Sequence, residues 1–130
     1  MQNKTTESEF LIPFSKIKNA CLGEHYELSL VFIDNKLSRK LNKTYRQKDN
    51  PTNILSFPLS KKSGEIFIDL AQAKKEAKSF GQTFPNFIGF LFIHGLLHLK
   101  GMQHGSTMEK AESKLRKKFK IYGTTNRSRH

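Results

Sequence analysis

Residues 87–104 read Phe-Ile-Gly-Phe-Leu-Phe-Ile-His-Gly-Leu-Leu-His-Leu-Lys-Gly-Met-Gln-His. The first part is apolar nearly all round, which predicts a central buried helix. Its second part carries three histidines at the spacing H-x3-H-x5-H. A helix turns once in about 3.6 residues, so His94 and His98 lie one above the other on one face. Gly101 can take a left-handed conformation without a Cβ penalty and end the helix there. The chain then doubles back, and His104 can approach the same point. Three neutral imidazoles with an open fourth position describe a catalytic metal site rather than a closed structural one. One such histidine alone would be read as a packing residue; three at this spacing, with glycine at the turn, are read as ligands. His25 has no ligand-spaced companion and His130 is the last residue, so both are expected at the surface.

A helical zinc protease would read H-E-x-x-H, with the glutamate as general base. Gly95 stands in that place, so the ligand frame is metzincin-like without the proteolytic base. A zinc ion lowers the pKa of its water to about 7, which suits a site lacking that glutamate. Three imidazoles also leave the charge of the ion uncompensated, which favours an anionic substrate over a neutral peptide. They would accept nickel or copper as well as zinc.

Charge points the same way. The 130 residues carry a formal net charge of +12, large for a chain of one-domain length, and the partner this suggests is a polyanion. Residues 36–48 hold Lys36, Arg39, Lys40, Lys43, Arg46 and Lys48 with no acid among them. The first five recur at helical spacing as a basic stripe, and Leu37, Leu41 and Tyr45 are expected to form the opposite, core-facing stripe. Like charges one turn apart cost helix stability, so an unneutralised row is easier to understand with phosphates on it. Residues 108–130 carry eight lysines or arginines against Glu109 and Glu112, a net of +6; this stretch is as readily an ordinary solvated face.

Around these segments the pattern is mixed. Pro13 to Gly23 predicts a short helix with Phe14, Ile17 and Cys21 on one face. Glu27 to Ile33 predicts a strand. Asp34 and Asn35 offer a turn and an N-cap for the basic helix, which Lys48-Asp49-Asn50-Pro51 breaks. Ile54 to Leu59 and Glu65 to Ile68 predict a hairpin, with Pro58 marking where the first strand frays or sits at an edge. Asp69 can cap a helix carrying Leu70, Ala73, Ala77 and Phe80, ended by Gly81, and Pro85 sits in the first turn of the next. Ser106 with Glu109 predicts a capping box for a last helix lined by Met108, Ala111, Leu115 and Phe119. The expected fold class is therefore α+β: one domain over residues 1–122, with a disordered basic tail over 123–130. Met1 to Glu9 is polar and lacks the apolar core of a secretory signal, and the apolar stretch 87–99 is too short for a membrane span. The single cysteine, Cys21, fits a small apolar filler and a cytoplasmic setting.

Two blocks carry a family resemblance. His94 to His104 is similar to the H-G-x-L-H-L-x-G-x-x-H signature of the YbeY family of bacterial endoribonucleases. The run Leu41-Asn42-Lys43-Thr44-Tyr45-Arg46-Gln47-Lys48-Asp49-Asn50-Pro51-Thr52-Asn53-Ile54-Leu55-Ser56-Phe57-Pro58 resembles a second family block, and Gly64-Glu65-Ile66 resembles its Gly-Asp-Ile/Leu strand entry. The resemblance covers roughly residues 27–122. It implies a short mixed sheet packed with helices, and a metal, usually taken as zinc (Zn2+), at one end of a cleft. It implies a single-strand-specific, metal-dependent endoribonuclease in ribosomal RNA maturation, including the 3′ end of the 16S RNA, and in ribosome quality control. The implied partners are ribosomal RNA, the small ribosomal subunit or its precursors, ribosomal proteins and assembly GTPases, and no membrane. Arg46 corresponds to the arginine held to matter for activity; phosphate positioning along the basic stripe is the other role open to it. Departures are Met102-Gln103 where the family has Tyr-Asp, Glu65 for the usual aspartate, and two short ends. An aspartate before His104 could orient a ligand or a water, whereas glutamine cannot take a proton. Two other function classes stay open: a metalloprotease, opposed by Gly95 and the charge, and a non-catalytic ribosome-assembly factor with a structural metal.

Overall fold

A computed structural model describes residues 2–3 and 11–122. A two-residue strand β1 (Gln2–Asn3) precedes α1 (Phe14–Leu22), β2 (Glu27–Ile33), α2 (Asn35–Arg46), β3 (Ile54–Ser60), β4 (Ser63–Asp69), α3 (Leu70–Ser79), α4 (Phe84–Leu99) and α5 (Ser106–Lys118). The fold is α+β, as the pattern predicts. The basic tail expected at 123–130, with His130, and most of the polar start lie outside the described residues.

β3 and β4 form the expected hairpin, Ile54 opposite Ile68 and Phe57 opposite Glu65. β2 runs parallel to β4, a pairing that needs a crossover, and α2 lies within it. The sheet order β1-β2-β4-β3 leaves β3 at one edge, where Pro58 withholds no ladder donor that a neighbour needs.

The apolar run of α4 does what its composition requires. Phe87, Ile88, Leu91, Phe92, Ile93, Leu96 and Leu97 are buried, and α4 packs on α1, α3, α5, β3 and β4. Thr83 caps it by accepting from Asn86 N at 3.2 Å. Beyond Leu99, Gly101 adopts φ +102, the left-handed stop its position predicts. Phe14 stacks edge-on to Phe92 at 4.9 Å and joins α1 to the same core. Cys21 is buried there, and burial pushes its thiol up from the ordinary value.

Side chains alternate across the sheet. Ile54, Ser56 and Ile66 face α4, since a Cβ built on Gly95 would meet all three. Leu55, Phe57 and Phe67 therefore face the other side, where Tyr45 of α2 meets Phe57.

Three expectations are corrected here. First, α2 does not bury Leu37, Leu41 and Tyr45: its buried residues are Ser38 and Asn42, while Leu37 is 40% and Tyr45 60% exposed. The reason is polar. Ser38 Oγ donates to Thr52 O at 2.8 Å and accepts from Thr52 N at 2.9 Å, and Asn42 Nδ2 donates to Asn50 O at 2.9 Å. The helix clamps the loop that leads into β3 instead of filling a core. Second, the basic stripe is partly neutralised: Asp49 accepts from Arg39 Nε at 2.7 Å and lies 4.0 Å from Lys43 Nζ. That bond to Arg39 holds the Asp49 carboxyl below its ordinary value. Third, α5 has no capping box. Gly105 is its N-cap, with φ +152, and Ser106 is already inside the helix. Elsewhere the caps match: Asp34 accepts from Leu37 N at 2.9 Å, and Asp69 from Gln72 N at 3.0 Å.

Candidate metal centre

His94 and His98 project from the last turns of α4, and the reversal after Gly101 brings His104 back onto them. The ring centroids lie 4.6 Å (94 to 98), 5.1 Å (94 to 104) and 4.8 Å (98 to 104) apart. One nitrogen from each ring falls within 4.8 Å of the others, so the trio could hold one metal ion. His25 is exposed and apart from them, as expected.

Nitrogen assignments follow from what each ring touches. His94 Nδ1 is in hydrogen-bond contact with a carboxylate oxygen of Glu112 on α5. His98 Nδ1 lies 3.2 Å from Met102 O. Both partners only accept, so each Nδ1 carries the proton of its neutral ring. The two Nε2 atoms are then bare lone pairs, and they face each other at 3.0 Å. Two acceptors at that distance repel unless a cation or a proton lies between them. The donor set is thus fitted to a divalent cation, and Glu112 and the Met102 carbonyl are the kind of outer partners that orient ligating histidines. Burial, then the neighbouring His94 and His104, hold His98 below the ordinary imidazole value, which keeps the ring in its ligating form.

Glu112 was legible in the sequence only as a charge against the basic C-terminal segment. A spacing of eight residues past His104, across a turn into another helix, carries no local signal. Its side chain is 13% exposed. The carboxylate lies against His94 and would offset part of the charge that three neutral ligands leave on a bound cation.

The histidines open onto a cleft of about 510 Å³, also lined by Arg46, Phe90, Leu91 and the segment 52–57. No acidic side chain lines it among the described residues. Arg46 ends α2 and reaches this cleft; unlike Arg39, it has no carboxylate partner among the described residues. The loop that forms the opposite wall is held twice, by Ser38 and Asn42 of α2 and by Asn53 Nδ2, which donates to Glu76 Oε1 at 2.7 Å. Arg116 covers the Phe90 ring at 5.1 Å.

Gly95 has its own structural reason. A Cβ there would stand 2.8 Å from Ile54 Cδ1, 2.9 Å from Ser56 Oγ and 3.1 Å from Ile66 Cδ1. The position points into the helix–sheet contact, so a glutamate where a zinc protease carries its base would have to displace the Ile54, Ser56 and Ile66 side chains.

Comparison with known proteins places the sequence among relatives of one family. The family described as Endoribonuclease YbeY matches over residues 3–123. An "Endoribonuclease YbeY" of Acholeplasma laidlawii is 38% identical over 117 residues, covering 85% of this chain and 82% of that protein. One from a Geobacillus species is 33% identical over 126 residues, covering 82% and 81%. The solution structure of TM1509 from Thermotoga maritima superposes with a TM-score of 0.65 at 20% identity, over 98% of this chain and 99% of that one, which shows the shared fold.

Proposed function

The chain belongs to the YbeY endoribonuclease family, and from that premise we propose that it is a metal-dependent endoribonuclease that cuts single-stranded RNA. The substrate we assign is ribosomal RNA, in 16S 3′-end maturation and ribosome quality control, on the small subunit or its precursors in the cytoplasm, alongside ribosomal proteins and assembly GTPases. The observation that carries this reading is the convergence of three imidazoles on a cleft that Arg46 shares.

His94, His98 and His104 are the residues that would hold the cation, zinc in the first place, with nickel or another divalent transition metal as alternatives. When bound, such an ion supplies Lewis acidity and makes nearby water more acidic at neutral pH. Everything else falls to the chain. Glu112 fixes the His94 tautomer, and the Met102 carbonyl fixes that of His98. Arg46 offers a planar fork to the scissile phosphate and stabilises charge that grows on it in the transition state. Phe90 and Leu91 give the cleft an apolar wall beside the rings. A lining without carboxylates suits a phosphodiester and does not favour an amine product.

A metalloprotease is disfavoured by the packing around Gly95. A non-catalytic assembly factor with a structural metal keeps the same ligands but predicts no turnover. Incubating labelled single-stranded RNA with the purified protein, with and without chelator, separates these. Chelator-sensitive cutting supports the nuclease. Salt-sensitive binding without cutting supports the assembly factor and overturns the enzymatic reading.

A further inference from the structure

We infer that Tyr45 and Phe57 form a stacking site for one unpaired nucleobase at the rim of the cleft, beside Arg46. The inference rests on the RNA reading above and names how a single strand would be held.

Tyr45 falls on the apolar stripe of α2, yet it is 60% exposed. It is nevertheless not free to wander. Its ring packs on Phe57 with centroids 5.0 Å apart at 57°, and Phe57 in turn leans on Phe67 at 5.9 Å. Phe57 is itself part of the cleft lining, and Arg46 is the next residue after Tyr45. An aromatic surface already fixed in place loses little conformational entropy when a flat partner lands on it. The surroundings supply what the flanking phosphates need: Lys48 lies within three residues, Arg46 is unpaired among the described residues, and Lys43, although 4.0 Å from Asp49, has a side chain that is 67% exposed. Cations that track a backbone and an aromatic face that accepts any base are the two parts of sequence-tolerant single-strand binding.

The site also accounts for strand preference. In a duplex both faces of each base are covered by neighbours, so none is available to Tyr45. Discrimination against paired RNA then follows from a side chain outside the metal centre.

The test uses single-stranded RNA, 2′-O-methylated to slow cutting, in a series where one abasic position is moved along the strand. Binding is read by fluorescence anisotropy for wild type, Tyr45→Ala and Tyr45→Phe. Wild type should show one position at which losing the base weakens binding about 10- to 100-fold, the range that stacking of one base supports. Tyr45→Ala should bind the intact strand weaker by a similar factor and be indifferent to the abasic residue at that position. Tyr45→Phe should behave as wild type. Tyr45→Phe should keep the wild-type melting temperature, and Tyr45→Ala, which loses the ring pair with Phe57, should lower it by no more than a few degrees. If wild type binds the strand while Tyr45→Ala binds equally well, or stays sensitive to that position, the stacking site is overturned and the RNA reading stands. If wild type binds no single-stranded RNA, both fall.

Discussion

The carboxylate of Glu112 rests against Nδ1 of His94, so a residue on α5 decides which nitrogen of a residue on α4 faces the cleft. Exchanging Glu112 for Gln keeps an acceptor but removes the charge. Zinc affinity, measured by competition with a chromogenic chelator, should fall about 10- to 100-fold, the range found for such outer partners. Glu112→Ala should fall further, because orientation goes with the charge. Affinity equal to wild type in both variants would leave the contact as packing only.

Gly95 sits where added volume meets β3 and β4. Gly95→Ala gains about 1 kcal/mol of helix propensity and loses about 1–3 kcal/mol to overpacking, for a net cost of up to about 2 kcal/mol in urea denaturation. Gly95→Glu, which completes the protease motif, should destabilise more and yield no peptidase activity. A stable Gly95→Glu protein that hydrolyses peptides would contradict the packing account.

Arg46 should matter more for turnover than for binding. Its role as a bidentate clamp predicts that Arg46→Lys lowers kcat about 100-fold or more while RNA affinity changes less than about threefold. Equal losses in both would assign Arg46 to phosphate positioning along the stripe. An unchanged rate would remove it from the mechanism.

Asp69 supplies one pH dependence away from the three histidines. Burial raises its carboxyl above the ordinary value, although Gln72 N and neighbouring donors oppose the shift. The folded state therefore holds this proton to higher pH than the unfolded state does. Its stabilising contribution is present below the unfolded carboxylate pKa of about 3.9 and is lost as pH rises through the higher folded value. Asn is also a good N-cap, so Asp69→Asn should keep the α3 cap while removing that loss. The stability difference, variant minus wild type, should grow in favour of the variant between about pH 3 and about pH 7. A flat difference would mean that Asp69 titrates as it does in the unfolded chain.

Much of this architecture was legible where local chemistry is strong. The apolar run 87–93, Gly101 and the histidine spacing fix α4, its end and the converging trio, because periodicity and a positive-φ stop act within a few residues. β2 is bounded as its composition predicts, and Asp34 and Asp69 cap as expected. The misses are tertiary. Tyr45 looks like core by spacing, but polar bonds from Ser38 and Asn42 to the 50–52 loop roll α2 onto its polar side. Ser106 and Glu109 have capping-box spacing, but Gly105 takes the cap position because the chain is still turning back from His104. The β2–β4 pairing and the Glu112–His94 contact join residues far apart in sequence, and no local pattern encodes either.

The central claim is that three imidazoles hold one divalent cation. Native mass spectrometry of the purified protein, with RNA cleavage measured on the same samples, tests it most directly. About one equivalent of zinc should be bound near neutral pH and released as pH falls below about 6, where protons compete for the rings. His98→Ala should lose both the metal and the cutting. A wild-type protein that cuts RNA with no metal bound, or a His98→Ala protein that keeps a full equivalent, would contradict the account.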